Sequence, residues 1–364
     1  MDGPTQTHAN THHRLSHWVH AHKTATAVIT TVALLIATAI CVWALFYQPP
    51  VAQTPHNNLQ GISRQAKPKY YSPLTGIEVA DDATTKRQVT AIMIENSPDA
   101  RPQSGLKTAG IVYEAIAEGG ITRFQCLYQE ARPGLIGPVR SLRPYYLEWA
   151  APYDASFAHI GGSKRALDTV RNGQYKDIDQ FFNAGAYYRS TDRYAPHNVY
   201  TTFDRLDELN VKKGFTSSTF QGFSRNKKEA PLPAPNAGNI TIAISGALFN
   251  SSYTYDKASN SYLRFQAGQP HLDREAGHIN PKVVIVMKVH MYRGFEDGYR
   301  EQIDTNGAGQ VFVFQNGTVI EGQWRKNGAK SPLNIVDATG QPIALNAGQT
   351  WVTTLPQDRN VSWQ

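Results

Sequence analysis

The segment GPVRSLRPYY, residues 137–146, places two arginines three positions apart between two prolines. Each proline fixes its own φ angle and biases the preceding residue away from the helical region. The side chains of Arg140 and Arg143 are therefore displayed from a stiff backbone. A guanidinium is a planar fork of donors that suits carboxylate and phosphate groups. The pattern predicts an anion-binding segment that leads into a short helix over residues 145–151.

A second segment, HIGGS at residues 159–163, combines the end of an apolar strand with two glycines and a serine. Such a turn can point backbone N–H groups at an anion. We therefore expect His159, Gly161, Gly162 and Ser163 to line one anion-binding cleft with the two arginines.

The loop around His197 and Asn198 is a further candidate for the same cleft, because functional side chains are often found on loops. Structural interpretations compete with these functional ones. Ser163 has the residue type of an ordinary helix N-cap, and His159 is flanked by apolar residues, as a hydrogen-bonded core histidine would be. The two arginines could also pair internally with Glu114, Glu118 or Asp154.

Glu114 and Glu118 are four positions apart, so that they would face the same way on a helix or on a strand. A glycosidase needs two carboxyl groups about 5–9.5 Å apart. On a strand, the Cβ atoms of these two residues would be about 13 Å apart. Val112 and the glycines at 119–120 favour a strand. We therefore expect one glutamate to support Arg123, Arg140 or Arg143 and do not expect a catalytic pair.

The chain has 364 residues, a net charge of +7 and a pI of about 9.2. A basic balance favours acidic partners such as nucleic acid, anionic lipid or an anionic wall polymer. Residues 25–47 contain no charge and are long enough to cross a bilayer as a helix. Arg14 and Lys23 precede them, which predicts a cytoplasmic N-terminus and an external location for the chain after residue 49. An external location argues against nucleic acid as a partner.

The apolar segment also contains two weak processing signals. ATA at residues 37–39 has the small-x-small form of a cleavage site, but the apolar run continues well past it, which argues against cleavage. TAIC at residues 38–41 is only loosely similar to a lipidation box, because Ile40 is too bulky for the position before the cysteine. The sequence therefore predicts an uncleaved membrane anchor.

Strand and helix patterns alternate in the first half of the soluble region, and strand patterns dominate the second half. The fold class is therefore an α/β (α+β) domain followed by a β-rich domain, with one N-terminal transmembrane helix. Residues 226–239 are rich in proline and charge and predict a linker. The predicted organisation is a His-rich cytoplasmic tail (1–24), a transmembrane helix (25–47), a linker (48–69), an N-terminal α/β domain (70–225), a proline-rich linker (226–239) and a β-rich C-terminal domain (240–364).

Common cofactor and nucleophile signatures do not occur in the chain. It has no glycine-rich phosphate loop with its lysine and no nucleophile elbow. The spacing of His271, Asp273 and His278 matches no metal-ligand signature. We expect neither a cofactor nor a metal.

Several motifs together resemble a known family. They are ENSPDARPQSGL at 95–106, IVYEAIAEGGITRF at 111–124, GQPHLD at 268–273 and NAGQTW at 346–351. They are similar to the YerB-like bacterial lipoprotein family, which is built from the N- and C-terminal domains of the domain of unknown function 3048. The resemblance spans nearly all of residues 70–363. It implies an envelope protein outside the membrane and supplies no catalytic residue. Family members are typically anchored by a lipid on a cysteine, whereas this chain has a membrane helix.

The function expected from these observations is the binding of an anionic cell-wall ligand or a partner by a membrane-anchored envelope protein. One alternative is a hydrolase that acts on cell-wall glycan or peptide. A second alternative is a scaffold that contacts other envelope proteins. A hydrolase needs an acid–base pair within reach of one point, a binding protein needs convergent donors, and a scaffold needs an exposed apolar patch.

Overall fold

The computed structural model describes residues 21–47, 68–296 and 298–364. They fall into two units, an N-terminal helix and a compact body that begins at Pro68. The His-rich tail and the linker at 48–69 lie almost entirely outside the described residues. Those two predictions therefore stay predictions.

The N-terminal helix, α1, spans Lys23–Phe46 and is long and apolar enough to cross a membrane by length and composition. Thr26, Thr30, Thr31 and Thr38 are compatible with an apolar surrounding, because their hydroxyls donate to carbonyl groups of the preceding turn. Thr26 donates to the carbonyl of His22 at 3.0 Å, and Thr38 donates to that of Leu34 at 2.9 Å. The predicted apolar helix at residues 25–47 is confirmed.

Within residues 68–296 and 298–364, the body contains four short α-helices and 23 strands. The helices are α2 (Asp82–Lys86), α3 (Pro144–Ala150), α4 (Lys164–Val170) and α5 (Phe203–Lys212). The strands of the first half are β1 (Tyr70–Tyr71), β2 (Glu78–Val79), β3 (Thr90–Glu95), β4 (Ile111–Glu118), β5 (Ile121–Tyr128), β6 (Ser156–Ala158), β7 (Lys176–Asp177), β8 (Tyr187–Arg189) and β9 (Val199–Thr201). Those of the second half are β10 (Asn239–Ile242), β11 (Ser251–Asp256), β12 (Ser261–Gln266), β13 (Gln269–Pro270), β14 (Leu272–Asp273), β15 (Gly277–His278), β16 (Val283–Val289), β17 (Met291–Phe295), β18 (Arg300–Ile303), β19 (Gly307–Gln315), β20 (Thr318–Lys326), β21 (Asn334–Asp337), β22 (Thr350–Pro356) and β23 (Val361–Trp363).

A 12-stranded mixed sheet organises the body, with the main strand order β21-β20-β19-β16-β22-β4-β5-β3-β6-β7. Its two halves meet where β22 pairs in parallel with β4, in a register that places Trp351 beside Val112. A second sheet has the order β13-β12-β11-β10-β23. The expected mixed α/β fold with a β-rich C-terminal region is confirmed.

Each face of the large sheet packs against a different layer. On one face, Phe124 and Trp351 belong to a buried cluster with Ile240 and Tyr253 of the five-stranded sheet. On the other face, Tyr113 stacks on Trp149 of α3, with ring centroids 5.6 Å apart. At these positions the sheet packs against strands on one side and against α3 on the other.

Both halves of the chain contribute to these two clusters, although the sequence predicts two separate domains. The predicted linker at 226–239 is mostly exposed, as its composition suggests. The sheet nevertheless runs through strands from both sides of that segment. The domain boundary at 226–239 therefore stays a prediction, and residues from both sides of it pack together in the same two buried clusters.

Short-range signals predicted several elements correctly. Asn316 and Gly317 join β19 to β20 with φ angles of 58° and 75°, as a type I′ turn requires. Ser163 is the N-cap of α4, where its hydroxyl accepts from the N–H of Ala166 at 3.4 Å. Helix α3 begins at Pro144 as the proline suggests.

The expectation that Glu114 and Glu118 face the same way is wrong. Both residues lie on β4, but the register with β5 shifts between Ile116 and Glu118. A bulge inserts one extra residue and so reverses the alternation of side chains beyond it. Glu114 consequently packs beside Trp351, whereas Glu118 pairs with Arg143 on the opposite face.

Candidate functional site

The arginine segment, residues 137–146, and the glycine turn, residues 159–163, lie side by side in the structure. Ile160 N–H donates to the carbonyl of Arg140 at 3.2 Å, and Leu142 N–H donates to that of Gly161 at 3.0 Å. Upstream, Val139 forms a bridge with Ile94. The fold therefore brings the arginine segment and the glycine turn together next to the end of β3.

Arg143 points into the protein and is only 4% exposed. Its Nε donates to Glu118 Oε2 at 3.2 Å, its Nη2 contacts Glu118 Oε1, and its Nη1 donates to the carbonyl of Leu142 at 2.7 Å. Arg123 approaches the same carboxylate at 3.4 Å and also donates to the carbonyl of Ser141 at 2.8 Å. Arg143 is thus held by an internal pair, which is the alternative that the sequence left open.

The electrostatics of this group agree with its geometry. Burial would raise the pKa of Glu118, but the charges of Arg123 and Arg143 outweigh that effect and lower the pKa below its usual value. The pKa of Arg143 is lowered, mainly by burial and then by the neighbouring charge of Arg123. One carboxylate is therefore shared by two buried guanidinium groups.

His159 is fully buried, and both of its ring nitrogens face oxygen atoms. Nδ1 lies 2.8 Å from the carbonyl of Gly161, and Nε2 lies 3.0 Å from Asp177 Oδ1. A carbonyl oxygen and a carboxylate are both acceptors, so both ring nitrogens face internal hydrogen-bond partners. Burial would raise the pKa of Asp177, but the hydrogen bond from His159 lowers it. The geometry is that of a hydrogen-bonded core histidine.

The N–H groups of Gly161 and Ser163 and the hydroxyl of Ser163 already have internal acceptors. Gly161 N–H donates to Asp179 Oδ1 at 3.1 Å. Ser163 Oγ and the N–H of Arg165 both donate to Glu296 Oε1 at 3.1 Å. The carboxylate of Glu296 therefore lies at the start of α4, where the sequence suggested an external anion.

Asn198 is also engaged internally. Its Nδ2 donates to the carbonyl of Ser190 at 3.0 Å, and its Oδ1 accepts from Arg189 Nη1 at 2.8 Å. These contacts fix the loop that carries His197. Asn198 therefore supports the candidate site and does not face it.

The remaining predicted residues, Arg140 and His197, meet on Glu95, the last residue of β3. His197 Nδ1 lies 2.9 Å from Glu95 Oε1, and Arg140 Nε lies 3.4 Å from the same oxygen. The side chains of Arg140 and His197 are 27% and 22% exposed, whereas that of Glu95 is 6% exposed. Glu95 thus holds a guanidinium and an imidazole that are both accessible from outside.

Polar atoms of this group lack partners among the described residues. Arg140 Nε lies at ion-pair distance from Glu95 Oε1, but it is buried and makes no hydrogen bond among the described residues. Glu95 Oε2 is also buried without a partner. Buried polar groups in native proteins are nearly always hydrogen-bonded, so such a pair of vacant positions calls for an explanation.

The geometry around His197 bears on catalysis. Ser97 Oγ lies 3.2 Å from His197 Nδ1 and 3.0 Å from Glu95 Oε1. In a Ser-His-acid triad, the serine contacts one ring nitrogen and the carboxylate contacts the other. Here Ser97 and Glu95 both contact Nδ1 of His197, while Nε2 lies 3.9 Å from Asp99 Oδ2. Ser97 is therefore not positioned as a nucleophile for His197.

Sequence reasoning missed Glu95 as a site residue. The available signal was its position directly after the apolar run 89–94, since functional side chains are often found where a strand ends. Glu114 and Glu118 in β4 were the more obvious carboxylates, because they lie only four positions apart. In the structure, Glu114 and Glu118 each form an ion pair with a buried arginine.

Glu114 belongs to a buried network that joins the two halves of the body. Arg264 Nη2 donates to Glu114 Oε2 at 2.8 Å, Trp351 Nε1 donates to the same oxygen at 3.0 Å, and Glu114 and Arg264 are both 0% exposed. Arg264 Nη1 also donates to His271 Nδ1. Burial, followed by the charges of Arg264 and Arg101, lowers the pKa of His271 far below its usual value. His271 is therefore neutral, and its Nε2 donates to Gln103 Oε1 at 3.1 Å.

Metal coordination finds no support in the described residues. Within residues 21–47, 68–296 and 298–364, no three His, Cys, Asp or Glu side chains are grouped to hold an ion. His278 Nε2 bonds the carbonyl of Arg264 at 2.7 Å, and Asp273 accepts from the N–H groups of Lys107, Glu275 and Ala276. These two residues and His271 serve the packing of the C-terminal region.

Two family models match the chain. Residues 74–216 match "Protein of unknown function (DUF3048) N-terminal domain", and residues 240–352 match the corresponding C-terminal domain. These ranges cover most of the body and bracket the exposed segment at 226–239.

One curated relative and one solved structure agree with the family models. The curated protein is "Putative lipoprotein YerB" of Bacillus subtilis (strain 168), which is 31% identical over 295 residues, or 79% of this chain and 87% of the relative. The crystal structure of the YerB protein from Bacillus subtilis superposes with a TM-score of 0.72 at 29% identity. That similarity covers 81% of this chain and all of the solved one. The chain therefore belongs to the DUF3048 family, whose two domains it carries in order.

Proposed function

We propose that this protein is an envelope protein, anchored by α1, which binds an anionic group of a cell-wall polymer or of an envelope partner through Arg140 and His197. The observation that carries the proposal is the Arg140 guanidinium. It is held beside Glu95, is partly exposed and makes no hydrogen bond among the described residues. A guanidinium with vacant donors matches the planar oxygens of a carboxylate or phosphate.

The unpaired Glu95 Oε2 adds a second requirement. A buried carboxylate oxygen needs a donor, such as a hydroxyl or an amide N–H. A ligand with an acidic group beside a hydroxyl or amide would satisfy Arg140 and Glu95 together. Sugar acids and acidic peptides of the envelope have this combination. The net charge of +7 would attract such polymers at long range.

Replacing Arg140 by glutamine should weaken the binding of soluble wall-polymer fragments by about tenfold or more, because one charged hydrogen bond is lost. The melting temperature should change little, since Arg140 is partly exposed, makes no hydrogen bond with Glu95 and leaves His197 in contact with that carboxylate. Isothermal titration of the full chain in detergent micelles measures both the affinity and the number of sites.

Arg293→Gln provides the matched control. Arg293 also pairs through Nε with a nearly buried glutamate, Glu301, at 3.0 Å, and it lies outside the site. The control should bind the fragments like the wild type. Equal affinities of the Arg140→Gln variant and the wild type would refute the proposal.

The membrane orientation is part of the same proposal. We propose that the N-terminus is cytoplasmic and that the body lies outside, since Arg14 and Lys23 precede α1. Protease added to intact spheroplasts should then digest a tag fused to the C-terminus. A tag that is protected until the membrane is permeabilised would contradict this orientation.

The hydrolase and scaffold alternatives have weaker support. A hydrolase could use His197 as a base, but Ser97 is on the wrong ring nitrogen, and Glu114 and Glu118 face opposite sides of the sheet. A scaffold would need an exposed apolar patch, for which the neighbours Phe181 and Phe182, 66% and 69% exposed, are candidates. Anion binding uses the residues that the structure leaves unpaired, and it is therefore the function we prefer.

A further inference from the structure

A separate cleft of about 370 Å³ opens between the loop at 98–102 and the hairpin at 266–272. Its size lies near the lower end of the range of ligand cavities, about 300–1,000 Å³. Three prolines, Pro98, Pro102 and Pro270, and the 44% exposed Leu272 give it apolar walls. The cleft can therefore hold the aliphatic part of a small ligand.

The side-chain amide of Gln266, in the wall of the cleft, is incompletely paired. Gln266 is 4% exposed, and its Oε1 accepts from Arg264 Nη1 at 3.1 Å, which fixes the orientation of the amide. Its Nε2 is left buried without a partner among the described residues. A buried donor without an acceptor lowers the stability of the protein, and a ligand that supplies an acceptor removes this cost.

Arg101 provides the charge of the cleft. Its Nε and Nη2 donate to the side-chain and main-chain oxygens of Asn96 at 3.2 and 2.9 Å, and no hydrogen bond engages its Nη1 in the described part of the chain. Burial and the nearby charge of Arg264 lower the pKa of Arg101 to about 10. The cation is thus incompletely compensated and favours an anion.

We propose that this cleft binds a small aliphatic carboxylate, such as the C-terminal residue of a peptide that ends in a small apolar side chain. Arg101 and Gln266 would donate to the carboxylate oxygens, and the prolines and Leu272 would contact the side chain. A phosphate dianion fits less well, because Arg101 is the only cationic side chain among the cleft-lining residues and His271 is neutral. The proposal uses none of the residues assigned to the Glu95 site.

The test uses N-acetyl-alanyl-alanine and its C-terminal amide as probes, titrated into the full-length protein in detergent micelles. The acid should bind at least about tenfold more tightly than the amide, since only the acid carries the charge. Arg101→Gln should remove this preference. Arg101→Lys keeps the charge without the planar fork and should retain part of it.

Gln266→Glu probes the amide independently, because it keeps the oxygen that accepts from Arg264 and replaces the unpaired donor by an acceptor. It should abolish binding of the acid. Arg140→Gln should leave this binding unchanged, which separates the cleft from the Glu95 site. Equal binding of acid and amide, no saturable binding of either probe, or an unaltered preference in Arg101→Gln would overturn the proposal.

Discussion

Replacing Glu114 by alanine is expected to lower the free energy of unfolding by about 3–5 kcal/mol, because it leaves a buried charge without its partner. Arg264 and Glu114 are both fully buried, with 2.8 Å between the paired atoms. The change also removes the acceptor of Trp351 Nε1. Urea unfolding of the full chain, followed by tryptophan fluorescence, measures the loss.

Two further variants make this result interpretable. Asp168→Ala removes an exposed pair, Lys164–Asp168, with side chains 84% and 62% exposed, and should cost at most about 1 kcal/mol. The double replacement Glu114→Gln and Arg264→Met should be more stable than Glu114→Ala, because no unpaired charge remains buried. Stability of the Glu114→Ala variant equal to that of the wild type would show that the pair does not hold the body together.

Replacing Arg143 by glutamine is expected to destabilise the protein by about 1.5–3 kcal/mol, the range for hydrogen bonds to charged groups. The loss should be smaller than that at Glu114, because Glu118 is 26% exposed and keeps its contact with Arg123. Affinity for wall-polymer fragments should not change, since Arg143 is buried. Thermal unfolding and titration of the same sample measure stability and affinity, and Arg140→Gln should show the opposite pattern. A loss of affinity without a loss of stability in Arg143→Gln would contradict the internal role of Arg143.

The contribution of Glu118 should depend on pH. Its pKa is lower in the folded protein than the ordinary glutamate value of about 4.3, because Arg123 and Arg143 stabilise its charged form. The unfolded chain therefore takes up a proton before the folded one does as the pH falls. The wild type should therefore be more stable than Glu118→Gln by a constant amount at pH values above the ordinary glutamate pKa. This difference in the free energy of unfolding should disappear as the pH falls through the lowered pKa of Glu118.

Signals that act over a few residues predicted much of the fold. Asn316-Gly317 specified its hairpin because both residues tolerate positive φ angles. Ser163 and Pro144 marked the starts of α4 and α3 for equally local reasons. The apolar helix near the N-terminus needed only its length and its lack of charge.

Long-range pairing could not be predicted in this way. Glu114 finds Arg264 at a separation of 150 residues, and Ser163 finds Glu296 at a separation of 133. The bulge before Glu118 changed its face, although alternation alone had placed it beside Glu114. Each of these contacts decides whether a charged side chain faces inward or outward. The prediction therefore identified two segments that do lie together, but it did not distinguish the partly exposed Arg140 from the buried Arg143.

The Glu114–Arg264 pair also has an evolutionary consequence. One partner is carried by the segment that matches the N-terminal family domain, and the other is carried by the segment that matches the C-terminal domain. A gene fragment that encoded either segment alone would leave a charge without compensation in the core of its product. We therefore expect recombination that separates the two segments to be disfavoured, because each segment supplies the counter-charge that the other one needs.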